Sequence, residues 1–339
     1  MADLVQGGDV RPQVRAWDAP LADPNIEDAR IAHTFAPLAG VPGVGRVEAA
    51  YRQRFRLKSW QYMTAVTDEL FIAFVVGTAG FASNGFVYAA ELANGRVHKK
   101  FAITPFMVGT ELAPSSVQGT HRFQTRGLSV GIENYGRAFE ARVDAKTDSG
   151  HLAAELSFAS RKNDEHLALC VPLPGGRWNY THKFAAFDVT GAVTIDGRRI
   201  DFAPGNSFGT MDFTKMYALR HAVWRWIALC GRTKQGRIVG LNLVDPTPDA
   251  PVSENALWVD GKRTALTNVR IGTDEATADG VAIKLREVAQ VEQKLDVPLV
   301  RHRLRHVIAS FSGSVTTQTG EKLDVNDVVG IYEDYDTWW

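Results

Sequence analysis

Between Trp178 and Cys230 the chain gathers its densest mixture of aromatic and ionisable side chains. Trp178, Tyr180, His182 and Lys183 come first. A Gly-rich turn, Pro204-Gly-Asn-Ser-Phe-Gly209, then leads into Met211, Asp212 and Phe213, with Trp224 and Trp226 beyond. Apolar walls with a few placed polar groups suit a small-molecule pocket. A core seam with ordinary hairpin turns would carry the same residues, and both readings stay open. Asp212 is the first candidate for chemistry. A carboxyl enclosed by Met211, Phe213, Trp224 and Trp226 would be desolvated, stay protonated and act as a general acid. The plainer alternative is a turn Asp bonded to its own backbone. On a strand, Trp178, Tyr180 and His182 share one face and Lys183 takes the other. The three would line a cavity, the indole stabilising a carbocation and His182 or Tyr180 relaying a proton. An aromatic core ladder fits equally well.

Other constellations are weaker. Gly127-Leu-Ser129-Val-Gly131 and Gly205-Asn-Ser207-Phe-Gly209 match the hydrolase nucleophile turn, which has force only between a strand and a helix. Ser129 fails, because strand pattern resumes at once. Ser207 qualifies if Thr210 to Trp226 is a helix, with Asp260 or Asp296 and His302 or His306 completing a triad. The lack of strand–helix alternation argues against that. His302 and His306 share a strand face without a third ligand, so no metal site is expected. Glu91 and Glu254 are expected at the surface. Gly40-Val-Pro-Gly-Val-Gly45 has the wrong glycine order for a dinucleotide loop, and no cofactor is expected.

The elements that must position these residues are strands. With 339 residues, two domains are the default. Basic and acidic residues balance at 38 each, so no net field favours nucleic acid or an anionic membrane. Cys170 and Cys230, flanked by apolar residues, read as buried thiols of a reducing compartment. No signal peptide is visible, and the apolar run Leu70 to Phe81 is too short to span a bilayer. The expectation is a soluble, cytoplasmic protein without stable membrane insertion. Residues 1–45, rich in Pro and Gly, read as an extended arm with a helical turn after Asn25. From Arg46, short strands rich in Val, Phe, Tyr and Ile alternate with turns such as Asn94-Gly95, Asp196-Gly197 and Asp260-Gly261. Strands are expected near 46–58, 59–66, 70–77 and onward to 281–289, 295–311 and 328–332. Arg301-His-Arg-Leu-Arg-His306 alternates with period two, as a half-buried strand does. The aromatic tail from Tyr332 to Trp339 would close a barrel end.

The two halves repeat each other. Trp60-Gln-Tyr-Met-Thr-Ala65 turns at Asp68 and returns as Leu70 to Val76. Trp224-Arg-Trp-Ile-Ala-Leu229 turns at Gln235-Gly236 and returns as Ile238 to Val244. Phe86-Val-Tyr88 before Asn94-Gly95 matches Ala256-Leu-Trp258 before Asp260-Gly261. This reads as a tandem duplication of one β-unit of barrel size.

Trp60-Gln-Tyr62, Ile103-Thr-Pro105, Lys183, the Asp212 loop, Trp224-x-Trp226-x-Ala228 and the closing Gly330-Ile-Tyr-Glu333 through Trp338 resemble the domain of unknown function 2804 family. That family is similar to the tandem lipocalin-like proteins, among them carotenoid hydratases, tocopherol cyclase and certain fungal cyclases. The resemblance covers residues 46–339 and implies an all-β fold of two tandem lipocalin-like antiparallel barrels, 46–165 and 166–339, after the N-terminal arm. In the carotenoid hydratases an Asp in a comparable loop is taken as the proton donor, and loop position carries that role to Asp212. The chain departs from the family pattern after Asp212, where Phe213-Thr-Lys215 stands in place of a tryptophan and a basic-Gly pair. The expected function is a cofactor-independent hydratase, isomerase or cyclase acting on a terpenoid, polyene or lipid-like molecule. Asp212 would be the acid, His182 or Tyr180 the relay, and Trp178, Lys183, Met211, Phe213, Trp224 and Trp226 the binding walls. A carrier of an apolar ligand and a Ser207 hydrolase are the alternatives.

Overall fold

The computed structural model describes residues 55–174, 176–246, 252–298 and 300–338, and ahead of these 4–6, 9–10, 16–17, 19–29, 41–45, 47 and 51. In the arm, β1 (Val5–Gln6) pairs with β2 (Asp9–Val10), and a 3₁₀ turn at Ile26–Asp28 follows Asn25 as expected. Where a strand is expected over 46–58, the described residues 47, 51, 55 and 56 are helical instead, and regular pairing starts at Leu57.

The strands form two large antiparallel sheets. The first holds β3 (Ala16–Trp17), β4 (Leu57–Val66), β5 (Leu70–Thr78), β6 (Ala82–Glu91), β7 (Val97–Pro105), β8 (Thr110–Glu111), β9 (Gln118–Thr125), β10 (Leu128–Tyr135), β11 (Ala138–Thr147) and β12 (Gly150–Ala159). With them go β13 (Leu167–Leu173), β14 (Arg177–Ile195), β15 (Arg198–Phe202) and β16 (Phe208–Tyr217). Its main path runs β7-β6-β5-β4-β16-β14-β12-β11-β10-β9-β8, and it curls until β5 and β6 meet β9 and β10.

The second sheet comprises β17 (His221–Arg232), β18 (Ile238–Asp245), β19 (Ala256–Val259), β20 (Lys262–Ala265), β21 (Arg270–Ile271), β22 (Glu275–Ala278), β23 (Val281–Val297), β24 (Val300–Thr316) and β25 (Lys322–Trp338). Its order is β20-β19-β18-β17-β25-β24-β23-β22-β21, with β18 curling back against β21. The fold is thus nearly all-β, as expected.

Local chemistry explains the hairpins. Asp196 (φ 50°) with Gly197 (φ 84°), and Asp260 (φ 48°) with Gly261 (φ 81°), place two successive residues at positive φ. That twist suits a two-residue antiparallel turn. In β10, β11 and β12 buried and accessible residues alternate, because one face is wet. β5 is buried at almost every position. One of its faces fills the first curl and the other lies under the second sheet, so its sequence is an unbroken apolar run.

Several expectations are corrected here. The division placed at residues 165–166 falls inside the first sheet, between β12 and β13. β14 and β16, which follow, pair with β12 and β4 and complete the first curl. The chain passes from one sheet to the other between Tyr217 and His221. Thr210 to Trp226 is not a helix: β16 and β17 occupy it, because both are claimed by sheet neighbours, β4 and β25. The single strand expected at 295–311 is split by a turn between β23 and β24. Both cysteines are buried free thiols, as expected.

Candidate functional site between the sheets

A cavity of about 600 Å³ lies between the two sheets, lined by β4, β14 and β16 on one side and β17, β24 and β25 on the other. Strand register arranges its walls in rows. Lys183, Asp212 and Tyr62 are direct neighbours across β14, β16 and β4. His306, Glu333 and Trp226 are direct neighbours across β24, β25 and β17. The next rows are Thr181, Thr214 and Trp60 in the first sheet, and Leu304, Tyr335 and Trp224 in the second.

The repeated hairpins therefore meet face to face. Trp60 stacks on its counterpart Trp224 with ring centres 6.5 Å apart, and Tyr62 meets Trp226 edge-on at 5.5 Å. The correspondence extends to the acids. Trp60 Nε1 donates to Asp212 Oδ2 at 3.1 Å, and Trp224 Nε1 donates to Glu333 Oε1. Each acid then has a basic neighbour on the next strand, Lys183 for Asp212 and His306 for Glu333.

The two sets differ in chemistry. Lys183 Nζ lies 2.7 Å from Glu254 and 3.5 Å from Asp212. Burial opposes its charge, yet Asp212 and Glu254 outweigh that and hold its pKa above the ordinary lysine value. Asp212 also accepts from Thr214 Oγ1 at 3.0 Å. An ammonium, an indole N–H and a hydroxyl thus converge on the Asp212 carboxyl. In the second set His306 Nε2 bonds Glu333, while its Nδ1 lies 2.9 Å from Tyr88 OH. Tyr88 OH in turn lies 3.0 Å from Tyr62 OH, which faces the cavity. Burial, above all, pushes both phenols well above the usual tyrosine range, so they are protonated at neutral pH. A continuous path of exchangeable protons thus links Glu333, His306, Tyr88 and Tyr62.

Of the expected residues, the cavity unites Asp212, Lys183, Trp224 and Trp226. The others face elsewhere. Along β14, Asn179 and Lys183 look into the cavity, so Trp178, Tyr180 and His182 point the opposite way. Tyr180 is fully buried beneath the arm, where its hydroxyl accepts Leu21 N–H at 2.9 Å. His182 is locked between Ser116 Oγ at 2.6 Å and His166 Nδ1 at 2.8 Å, and burial takes its pKa down to about 3. Phe213 packs on His121 and Tyr180, and Met211 shares its face.

Ser207 is 1% exposed and its Oγ accepts Ala203 N–H, with no histidine bonded to it among the described residues. Glu254 is no surface residue, since the Lys183 ammonium draws it into the cavity wall. Glu91 is half-buried against His98. No cluster of three metal-binding side chains occurs among the described residues. No helix among them is long and apolar enough to cross a membrane.

Sequence alone assigns no chemical role to Tyr62, Tyr88 or Glu333, and considers His306 only as a metal ligand or a member of the Ser207 triad. Period-two alternation did place His302, Leu304 and His306 on one face. The likeness of His306–Glu333 to Lys183–Asp212 was hidden, because the side chains differ and only register relates them.

A solved structure shares the architecture. Kievitone hydratase from Nectria haematococca aligns over 95% of this chain and 97% of its own, with a TM-score of 0.50 and 10% identity. A Nitrosomonas europaea protein provisionally called AttH aligns over 83% of this chain and 92% of its own, with a TM-score of 0.47 and 11% identity. The first likeness is one of fold, that of tandem lipocalin-like barrels. A search of curated proteins found no match. The model of the family described as domain of unknown function 2804 matches residues 43–339, and the chain belongs to that family.

Proposed function

We propose that the protein is a hydratase-type enzyme, adding water to or removing it from an apolar small molecule held between the sheets. The observation that carries this reading is the pair of acid–base sets, Asp212–Lys183 and Glu333–His306, in the wall of one apolar cavity. The fold shared with a hydratase agrees with it.

In the hydration direction, Tyr62 gives its hydroxyl proton to an alkene carbon as the π electrons form the new C–H bond. Tyr88 reprotonates Tyr62, and His306 Nδ1 reprotonates Tyr88, with Glu333 stabilising the imidazolium that supplies the proton. The positive charge left on the adjoining carbon faces the Asp212 carboxylate and the rings of Trp60, Trp224 and Trp226. Water adds to that carbon and releases a proton to Glu333, and exchange with solvent restores the starting charges. Dehydration is the reverse.

A carrier that only sequesters the ligand is the second reading, favoured by the predominance of apolar side chains in the wall. The discriminating experiment takes compounds extracted from the purified protein and returns them to it in ¹⁸O-water. A product heavier by one labelled water, absent with Glu333→Gln although the ligand still binds, is the expected result. Ligand bound and recovered unchanged by the wild type would overturn catalysis and leave the carrier.

A further inference from the structure

One end of the cavity is polar in a way that the proposed chemistry does not use. Two rows from Tyr62, Asn179 and Lys58 flank Met216 across β14, β16 and β4. Asn179 and Lys58 both line the cavity, and Lys58 is 2% exposed. Its ammonium donates to Phe55 O at 2.9 Å and is also bonded to Ala79 O. Arg177 stands two residues before Asn179 on the same face of β14 and is 7% exposed. Among the described residues, Arg177 Nε and Asn179 Oδ1 are buried without a hydrogen-bond partner. Buried polar atoms are nearly always satisfied, so two orphans on one strand face require a reason. The second sheet adds His302 and Thr337, bonded to each other at 2.9 Å, to the same cavity wall.

Charge gives the reason. Lys58 brings a buried cation to this end, Arg177 adds a second two residues along β14 from Asn179, and the Asn179 amide can turn either its carbonyl or its NH₂ toward a ligand. Between this row and the Tyr62 row the wall is Trp60, Thr214 and Thr181, facing Trp224 and Tyr335. Four residues along β4 separate Lys58 from Tyr62, a distance of about 13 Å.

We propose that Lys58, Arg177 and Asn179 form a carboxylate-binding subsite, so that the molecule accepted by the cavity is an amphipathic acid. Its carboxylate sits in this row, its apolar body crosses the tryptophans, and its reacting double bond lies about 13 Å further on at Tyr62. The proposal rests on the reading of the cavity as a ligand site and names the substrate class.

Cis-parinaric acid and its methyl ester share one fluorescent polyene body and differ only in the charge, which makes them the probes. Titrated into the full chain, the acid is expected to bind at least about tenfold more tightly than the ester, as a charge-assisted contact confers. Lys58→Met and Arg177→Met should each abolish most of that preference, and Lys58→Arg should restore it. Burial, then Arg56 and Arg220, lower the Lys58 pKa to about 7. The preference should therefore be largest below pH 7 and shrink above it. Equal binding of acid and ester would overturn the subsite while leaving the cavity reading intact. Binding of neither probe would overturn both.

Discussion

Tyr88 and His306 belong to different sheets, yet the phenol oxygen lies 2.9 Å from imidazole Nδ1. This bond joins the acid–base set of the second sheet to the cavity-facing phenol of the first. Tyr88→Phe should cut the proton path while leaving Glu333 and His306 paired. Turnover is expected to fall about 100-fold with ligand affinity unchanged. Stability should drop by about 1 kcal/mol. Product assay and urea denaturation of the same variant check both. A variant that keeps full turnover would remove Tyr88 from the path.

Lys183 holds two buried carboxylates together. Lys183→Met should destabilise the fold by about 3–5 kcal/mol, because Asp212 and Glu254 would face each other uncompensated. Adding Glu254→Gln should recover part of the loss. The Lys183 pKa is raised in the folded state, so its contribution is complete below the ordinary lysine value and is lost only as pH rises through the raised one. Denaturation midpoints of wild type and Lys183→Met should thus differ by a constant amount near neutrality and converge in strong alkali.

The interior of the first curl predicts acid sensitivity. Burial lowers His182 to about 3 and His121 to about 4, and depresses His166 well below its ordinary value. These rings stay neutral when folded, whereas the unfolded chain takes up protons near pH 6.5. Stability is complete above that pH and falls as pH drops toward the folded values, by about 1 kcal/mol per pH unit for each histidine. His182→Gln should make the fall of the urea midpoint between pH 6 and pH 4 shallower.

Close approach of the sheets depends on Gly240 of β18. A Cβ there would lie 1.4 Å from the carbonyl oxygen of Ala185, where β14 carries a bulge. Gly240→Ala should force the strands apart and cost on the order of 3 kcal/mol, read from denaturant unfolding. Gly45→Ala, where a Cβ meets nothing within 4 Å among the described residues, is the control.

Ser207 should be inert toward fluorophosphonate probes. Its hydroxyl is spent on the turn before β16, where it accepts Ala203 N–H at 3.0 Å. Ser207→Ala should leave turnover of the extracted ligand unchanged. Covalent labelling at Ser207 would revive the hydrolase alternative.

Much of the fold was legible along the chain. Asp196-Gly197 and Asp260-Gly261 between apolar runs mark hairpins, because few residues tolerate positive φ in succession. The Trp60 and Trp224 repeats revealed the duplication, whose copies the structure packs against each other. The site was less legible. Asp212, Lys183, Trp224 and Trp226 line the cavity, whereas Trp178, Tyr180 and His182 lie on the opposite face of β14. Trp178, Tyr180 and His182 looked like a cavity wall because a buried aromatic face has the same period two whether it meets a ligand or a core.

Local sequence determined that the chain forms strands, where it turns, and that it does so twice, since these follow from side-chain periodicity and backbone sterics. Only the tertiary structure decided that a cavity lies between the sheets. Register sets Asp212 beside Lys183 and Glu333 beside His306, and inter-sheet packing brings Tyr88 to His306. Such neighbours are far apart along the chain and carry no local signal. What unites them is the burial of two repeated apolar faces against each other, a property of the whole assembly of strands.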